Sequence, residues 1–383
     1  MFKWKTALKA ISYDDFHKQN AERRQGLSLI VKKLVIILWG FLMGGLLNFI
    51  NVPAGWLIGA MIAGMISAMT FGRMNSNKYV FKSGLCLLGI SFGANINIDF
   101  FISLKNLLFP LIISISLILI IALILSRLLY KNSNLNYVTA LFCCIPGGAS
   151  EVIGTSHDAG ADERIVAAFH TARITLFVFS IPLLTGVASN ALSNRLSDDF
   201  QVKIGIVEIL FIVLFIISTI LIEKLIRIPI GPLFISMVLS FLVNQFFEFG
   251  SNFYILPIIG QVIIGVVVGQ KFDREAYQQI KKLGLLTLTI LFVLFGTSFI
   301  IAYLFSLISN LDYAVSLLGV VPAGAAEMSS TAFALNLEPS IVAALQTARL
   351  IVIFLLLPLL TTYAQKMSLV LEKPEDKHYK HYS

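Results

Sequence analysis

Pro146-Gly147-Gly148-Ala149-Ser150-Glu151 and Pro322-Ala323-Gly324-Ala325-Ala326-Glu327 are two forms of one motif, and their reading decides the fold. They stand 176 positions apart, and the register holds on both sides of them. Downstream, Ile165-Val166-Ala167-Ala168 and Thr171-Ala172-Arg173 recur as Ile341-Val342-Ala343-Ala344 and Thr347-Ala348-Arg349. Pro182-Leu183-Leu184-Thr185 recurs as Pro358-Leu359-Leu360-Thr361. Over residues 136–186, 18 of 51 positions are identical to their partners without a gap. Upstream, Pro53, Gly55, Gly89 and Gly93 match Pro229, Gly231, Gly265 and Gly269. Apolar letters repeat by chance. Pro, Gly, Glu and Arg held in one register do not, so the chain reads as a duplication.

The copies are apolar throughout. Of 383 residues 57% are hydrophobic and 13% charged, and the mean hydropathy is +0.86. Soluble domains carry about twice that share of charge, so the chain belongs to the membrane class, its first partner a lipid bilayer. Runs such as Leu111–Leu125 and Ile204–Ile222 approach the ~20 residues that cross ~30 Å of hydrocarbon. The net charge of +8 lies in tails and short loops, where membrane topology places it, and it does not imply nucleic acid. Cys86, Cys143 and Cys144 sit in apolar segments with no metal-type spacing and read as small buried residues.

Six apolar elements precede the polar stretch Ser189–Gln201, at about 31–50, 53–71, 79–95, 105–130, 136–159 and 164–186. Six follow, at about 203–226, 229–247, 254–270, 281–308, 312–335 and 341–363. The expected organisation is a basic tail (1–30), a membrane repeat (31–188), a linker (189–202), a second repeat (203–365) and a C-terminal tail (366–383). The first residues mix Phe2, Trp4, Leu8 and Ile11 with lysines, a pattern that fits either an amphipathic surface helix or a solvated tail. Basic loops at Arg73–Lys82, Arg127–Lys131, Lys224–Arg227 and Lys271–Lys282 alternate with neutral or acidic ones near Ile50–Val52, Glu248–Asn252 and Asn310–Asp312. The positive-inside rule is best met when each Pro-Gly element dips into the membrane and returns on its own side. Each half then has five crossings and one re-entrant helix pair. The odd number inverts the second copy and leaves both termini in the cytoplasm of a multi-pass plasma-membrane protein. Elements 1–2 and 7–8 would form a scaffold, compatible with a homodimer, and the rest a transport core.

From Tyr137 to Ile145 is about nine residues, or ~13 Å of helix, which puts the first tip near mid-depth. Backbone freed there has to be buried in protein or line a cavity. A Pro-Gly break at mid-depth in both halves points to a transporter site.

The paired motifs, each followed by Ile-Val-Ala-Ala and Thr-Ala-Arg, resemble the AbrB membrane-protein family, as does the segment Asn51–Ala60. The similarity runs from about Lys33 to Thr362. Members are often labelled ammonia monooxygenase or regulators of gene expression through AidB. By fold, the resemblance implies a distant relative of the cation/proton antiporter and anion transporter superfamily. It does not carry a substrate. One departure between the copies is Ala323 where the first has Gly147.

The candidate substrate or ion site comprises Pro146, Gly147, Gly148, Glu151, His170 and Arg173 with Pro322, Gly324, Glu327, Gln346 and Arg349. Charged groups inside a membrane are costly and face a partner or a cavity. One reading makes Glu151–Arg173 and Glu327–Arg349 internal braces; the other shares those charges with a solute or a coupling ion. The half-helix ends at each tip suit a cation on the carbonyl side and an anion on the N–H side; small residues that let helices approach are the packing alternative. His170 and Gln346 occupy matching positions, and a buried His is more often hydrogen-bonded than proton-carrying. His157 and Asp158 are expected at the surface. No Walker, dinucleotide or Ser-His-Asp grouping appears, and the five histidines do not cluster as copper ligands would. The expectation is therefore no catalytic residue, no metal and no cofactor, with ion-gradient coupling in place of ATP. The reading favoured is secondary transport of a small solute, an organic anion or amine. The alternative is a membrane sensor that regulates expression through a partner.

Overall fold

A computed structural model describes residues 31–73, 78–188, 206–226, 228–246, 255–282 and 284–371. The basic tail 1–30, the linker 189–202 and residues 372–383 lie outside the described residues. The described chain is helical throughout. In order the helices are α1 (Val31–Phe49), α2 (Gly55–Phe71), α3 (Lys78–Ala94), α4 (Ile98–Lys131), α5 (Tyr137–Cys144), α6 (Ala149–Asp158), α7 (Glu163–Ala188) and α8 (Ile206–Leu225). Then come α9 (Gly231–Asn244), α10 (Ile255–Gly269), α11 (Arg274–Lys282), α12 (Gly284–Ser309), α13 (Tyr313–Val320), α14 (Ala325–Ala334) and α15 (Pro339–Leu371). By length and composition five segments, within α1, α4, α7, α12 and α15, are apolar enough to cross a membrane; α2, α9 and α10 are shorter apolar helices.

Two differences from the sequence reading concern helix ends. α15 runs on to Leu371, six residues past the expected start of the tail, and α4 begins at Ile98. At ~1.5 Å per residue both are longer than the ~30 Å of a bilayer's hydrocarbon. The polar stretch Arg274–Lys282, read only as a loop, is the helix α11, laid against α7.

The helices sort into two groups by packing. The most extensive contacts join α3 to α9, α2 to α10 and α3 to α10, with α8 on α3 and α9. α1 joins this group through Ile36, packed with Ala60, Val262 and Val266. The second group holds α4, α5, α6, α7, α12, α13, α14 and α15. The scaffold therefore includes α3 and α10, elements 3 and 9, which the sequence reading put with the core. Close backbone approach is the reason. A Cβ on Gly89 would strike Ser236 Oγ and Leu233 O, and one on Gly265 would stand 2.6 Å from Leu57 O and 3.2 Å from Met61 N. The contact pairs Gly89–Leu233 and Gly265–Leu57 exchange under the 176-residue offset, as in an interface about a two-fold axis.

Candidate functional site

Each Pro-Gly motif breaks a helix at the same point. Pro146 and Pro322 offer no N–H, and the residue before a proline is pushed out of the α region. Ile145 (φ −59°, ψ 127°) and Val321 (φ −55°, ψ 133°) are extended accordingly. Gly148 and Gly324 are the N-cap residues of α6 and α14 and are also extended. At the far end Asn136, which caps α5, donates to Gly160 O at 3.1 Å, and Thr139 Oγ1 accepts from Asp162 N at 2.9 Å. The start of α5 and the end of α6 thus meet, and the unit returns to where it began.

Glu151 and Glu327 fall at the third position of the helix each begins, where an acidic side chain reaches back to the free N–H groups. Both carboxylates lie against the cap: a Cβ on Gly148 would strike Glu151 Oε2, and one on Gly324 would strike Glu327 Oε2. Glycine at those caps leaves the space that the carboxylate occupies. The positive ends of α6 and α14 are therefore served by the chain's own acids.

The arginines serve the opposite ends. Arg173 donates to Ile145 O (2.9 Å) and Gly147 O (3.3 Å). Arg349 donates to Val320 O (2.9 Å), Val321 O (2.6 Å) and Ala323 O (3.4 Å). Both side chains are 2% exposed. The brace reading is not met: no ion pair joins Glu151 to Arg173 or Glu327 to Arg349, while the ion pairs among the described residues include Lys82–Glu223 at 2.6 Å and His157–Asp158 at 3.5 Å. The proline breaks explain the difference, because they free carbonyls in the apolar interior that claim the guanidinium groups.

His170 and Gln346 complete the same network by different chemistry. Arg173 donates to His170 Nδ1 at 3.0 Å, and because a guanidinium only donates, that nitrogen accepts. His170 Nε2 then carries the proton and donates to Phe142 O at 3.0 Å. Gln346 Oε1 accepts from Arg349 at 2.6 Å, and its Nε2 donates to Leu318 O and Val321 O at 2.6 and 3.0 Å. Both residues are 0% exposed. His157 and Asp158 are at the surface, with side chains 74% and 86% exposed.

Both tips line one cavity of about 440 Å³ between the two helix groups. Gly147, Gly148, Glu151 and Arg173 reach it from the first half, and Ala323, Gly324 and Glu327 from the second. His170, Gln346 and Arg349 do not line it; they stand behind the tips. The cavity also takes residues the sequence reading passed over: Lys82, Glu223, the α8–α9 crossover at Ile228–Pro232, and Lys271. Lys271 lies 5.8 Å from the centre of the Phe81 ring and shares the cavity wall with Glu327. In the sequence the two lysines stand among loop charges and Pro229 marks the repeat register. The one available signal was Glu223, a lone acid closing a long apolar run.

The chain matches, over residues 56–365, the family described as "Transition state regulatory protein AbrB". It belongs to the AbrB family. Among relatives, "Uncharacterized protein YhjN" of Bacillus subtilis (strain 168) is 22% identical over 344 residues, covering 82% of this chain and 88% of that protein. "Putative regulator AbrB" of Escherichia coli (strain K12) is 25% identical over 331 residues, covering 83% of this chain and 93% of that protein. For this AbrB-family chain the match spans both tips and the helices behind them. The network that seats the tips is thus part of the family-wide segment, not of an added domain.

Proposed function

We propose that this AbrB-family chain is a secondary transporter that moves a small solute across the plasma membrane, without chemically altering it, through a site at the paired tips. One observation carries the reading: two broken helices, from opposite halves of an apolar helical chain, present their tips to one cavity of about 440 Å³. Cavities of this size suit small molecules, and discontinuous helices meeting at mid-depth are the usual construction of such sites. The matched contacts at the 176-residue offset support an inverted pair of repeats, each with five crossings and one re-entrant helix pair. Lys82 and Lys271, next to the basic loops, line the cavity mouth, which the positive-inside rule assigns to the cytoplasm along with both termini.

The helix ends at the tips are already served by Glu151, Glu327, Arg173 and Arg349. A solute in the cavity therefore meets Glu151, Glu327 and Arg173, with Arg349 behind the second tip, and not a bare helix terminus. Purified protein in liposomes, screened for flux of labelled organic anions and amines under sodium and proton gradients, tests the proposal. Gradient-dependent uptake that Glu327→Gln abolishes is the expected result. The names of the family and of the Escherichia coli relative attach regulation to those proteins, which motivates a second reading as a sensor acting through a partner. Absence of flux for every solute, with a defined partner co-purifying, favours that reading.

A further inference from the structure

The two copies repeat one another in sequence but differ in how they sit on the scaffold. α14 packs on α2, α3 and α10; among the described residues α6 has no packing of that extent on their counterparts α9, α10 and α3. At the N-terminal end of α15, Ser340 Oγ donates to Phe92 O at 3.0 Å, and Phe333 lies 6.2 Å from Phe92. The partners of these residues under the 176-residue offset are Arg164, Val268 and His157. Arg164 lines an open, charged cavity of about 390 Å³ beside Lys271, and His157 is at the surface. The α1–α2 crossover is shut as well: Ala54 is 1% exposed, and a Cβ on Gly186 would press on Pro53. The matching α8–α9 crossover, Pro229 and Ile230, lines the open cavity.

One buried group marks where the closed counterpart lies. Gln261 in α10 is 1% exposed, and its Oε1 has no hydrogen-bond partner among the described residues. Its partner under the offset is Leu85, 3% exposed, a core residue that forms part of the wall of the open cavity. A buried amide oxygen without a donor is rare in a settled core, but is accounted for if the same atom meets water in a second arrangement of the molecule.

We infer that the tips are served by a second solute-access site on the opposite face, closed in this structure and lined by Gln261, Ile258, Leu47 and the Pro53–Gly55 crossover, with the exposed Asn95 at its rim. The offset assigns these residues: Lys82, Glu223 and Lys271 of the open side correspond to Ile258, Leu47 and Asn95. At these positions the second site is therefore free of ionised side chains. Its polar groups are the Gln261 and Asn95 amides. A solute reaching it is recognised there by hydrogen bonding and shape, and meets fixed charge only at the tips and beyond. The inference rests on the transport reading and deepens it by naming the second half of the path.

Single cysteines at Gln261 and Leu85, in a background with Cys86, Cys143 and Cys144 replaced by serine, test it in membrane vesicles of both orientations. The probe is a membrane-impermeant maleimide. Leu85→Cys is expected to label from the cytoplasmic face and Gln261→Cys from the opposite face. Adding a Pro53→Cys/Gly186→Cys pair and oxidising it should abolish labelling at Gln261→Cys, and reduction should restore it. Ile258→Cys provides a second reporter where Gln261→Cys lowers expression. Protection of both reporters from the outer face, in vesicles where Leu85→Cys labels, overturns the inference. If solute flux persists in such protein, the pathway alone is wrong and the transport reading stands. If flux is absent too, both fall.

Discussion

At the scale of single residues, an imidazole and an amide do one task. His170 and Gln346 each accept from an arginine and each donate to a carbonyl in the helix that the proline breaks. Protonating His170 at Nδ1 would remove the acceptor that Arg173 uses, so the ring works as a neutral donor–acceptor and not as a proton carrier. His170→Gln should therefore preserve both fold and flux. His170→Leu leaves two buried polar groups without a partner and should lower stability by about 1–3 kcal/mol, seen as earlier thermal unfolding in detergent. The arginines and glutamates behave as separate caps of opposite helix ends. Charge pairing would show as recovery when Glu151→Gln is combined with Arg173→Gln. The double variant is instead expected to be less stable than either single one, because each change exposes a different helix end. A double variant more stable than Arg173→Gln alone would restore the brace reading.

At the scale of elements, the scaffold depends on helices that touch through backbone. Gly89 against α9 and Gly265 against α2 have no room for a methyl group, because the facing atoms include main-chain oxygens that cannot swing aside. Either residue changed to alanine should cost about 1–3 kcal/mol through overpacking, with matching losses in the two copies. Gly296 in α12 is the control: a Cβ there meets nothing within 4 Å. Gly296→Ala should be neutral or stabilise by up to about 1 kcal/mol through helix propensity. Denaturation curves of the three variants settle the contrast, and equal losses at all three would refute it. The broken elements show the opposite design. α5 and α13 are eight residues each, too short to cross alone, and their value lies in where they stop.

At the scale of the whole molecule, the arrangement of charge predicts sidedness. One apolar helix, α12, separates Lys281 from Asn310. Cysteines at those two positions should label from opposite faces of intact vesicles, Lys281→Cys from the cytoplasmic one. Labelling of both from one face would remove the assigned topology, and with it the side to which the cavity opens. The tight matching of contacts within the scaffold and the loose matching between scaffold and tips are two facts about one molecule. Glycine-mediated helix crossings are stiff. The tip groups meet the scaffold through fewer contacts, and those differ between the halves. Relative movement of the two groups is the economical way for a repeated sequence to take two unequal positions.

Legible in the sequence by itself were the long apolar runs, the 176-residue register between the halves and the residues at the breaks. Those properties are local or periodic: apolar run length, proline's missing N–H, and a constant offset all survive in a linear string. The breaks were legible because proline lacks the N–H and drives the residue before it out of the helical region, whatever the tertiary context. Only the tertiary structure decided what each charge does. Arg173 and Glu151 are 22 positions apart in sequence and invite pairing, yet each is committed to the dipole end of a different half-helix. The structure likewise decided that α3 and α10 belong to the scaffold, that Lys82, Glu223 and Lys271 meet the tips, and that one copy is docked while the other stands open. These depend on which helices cross between the halves. The tip motifs of the two copies match closely, and they carry no sign of which side is closed.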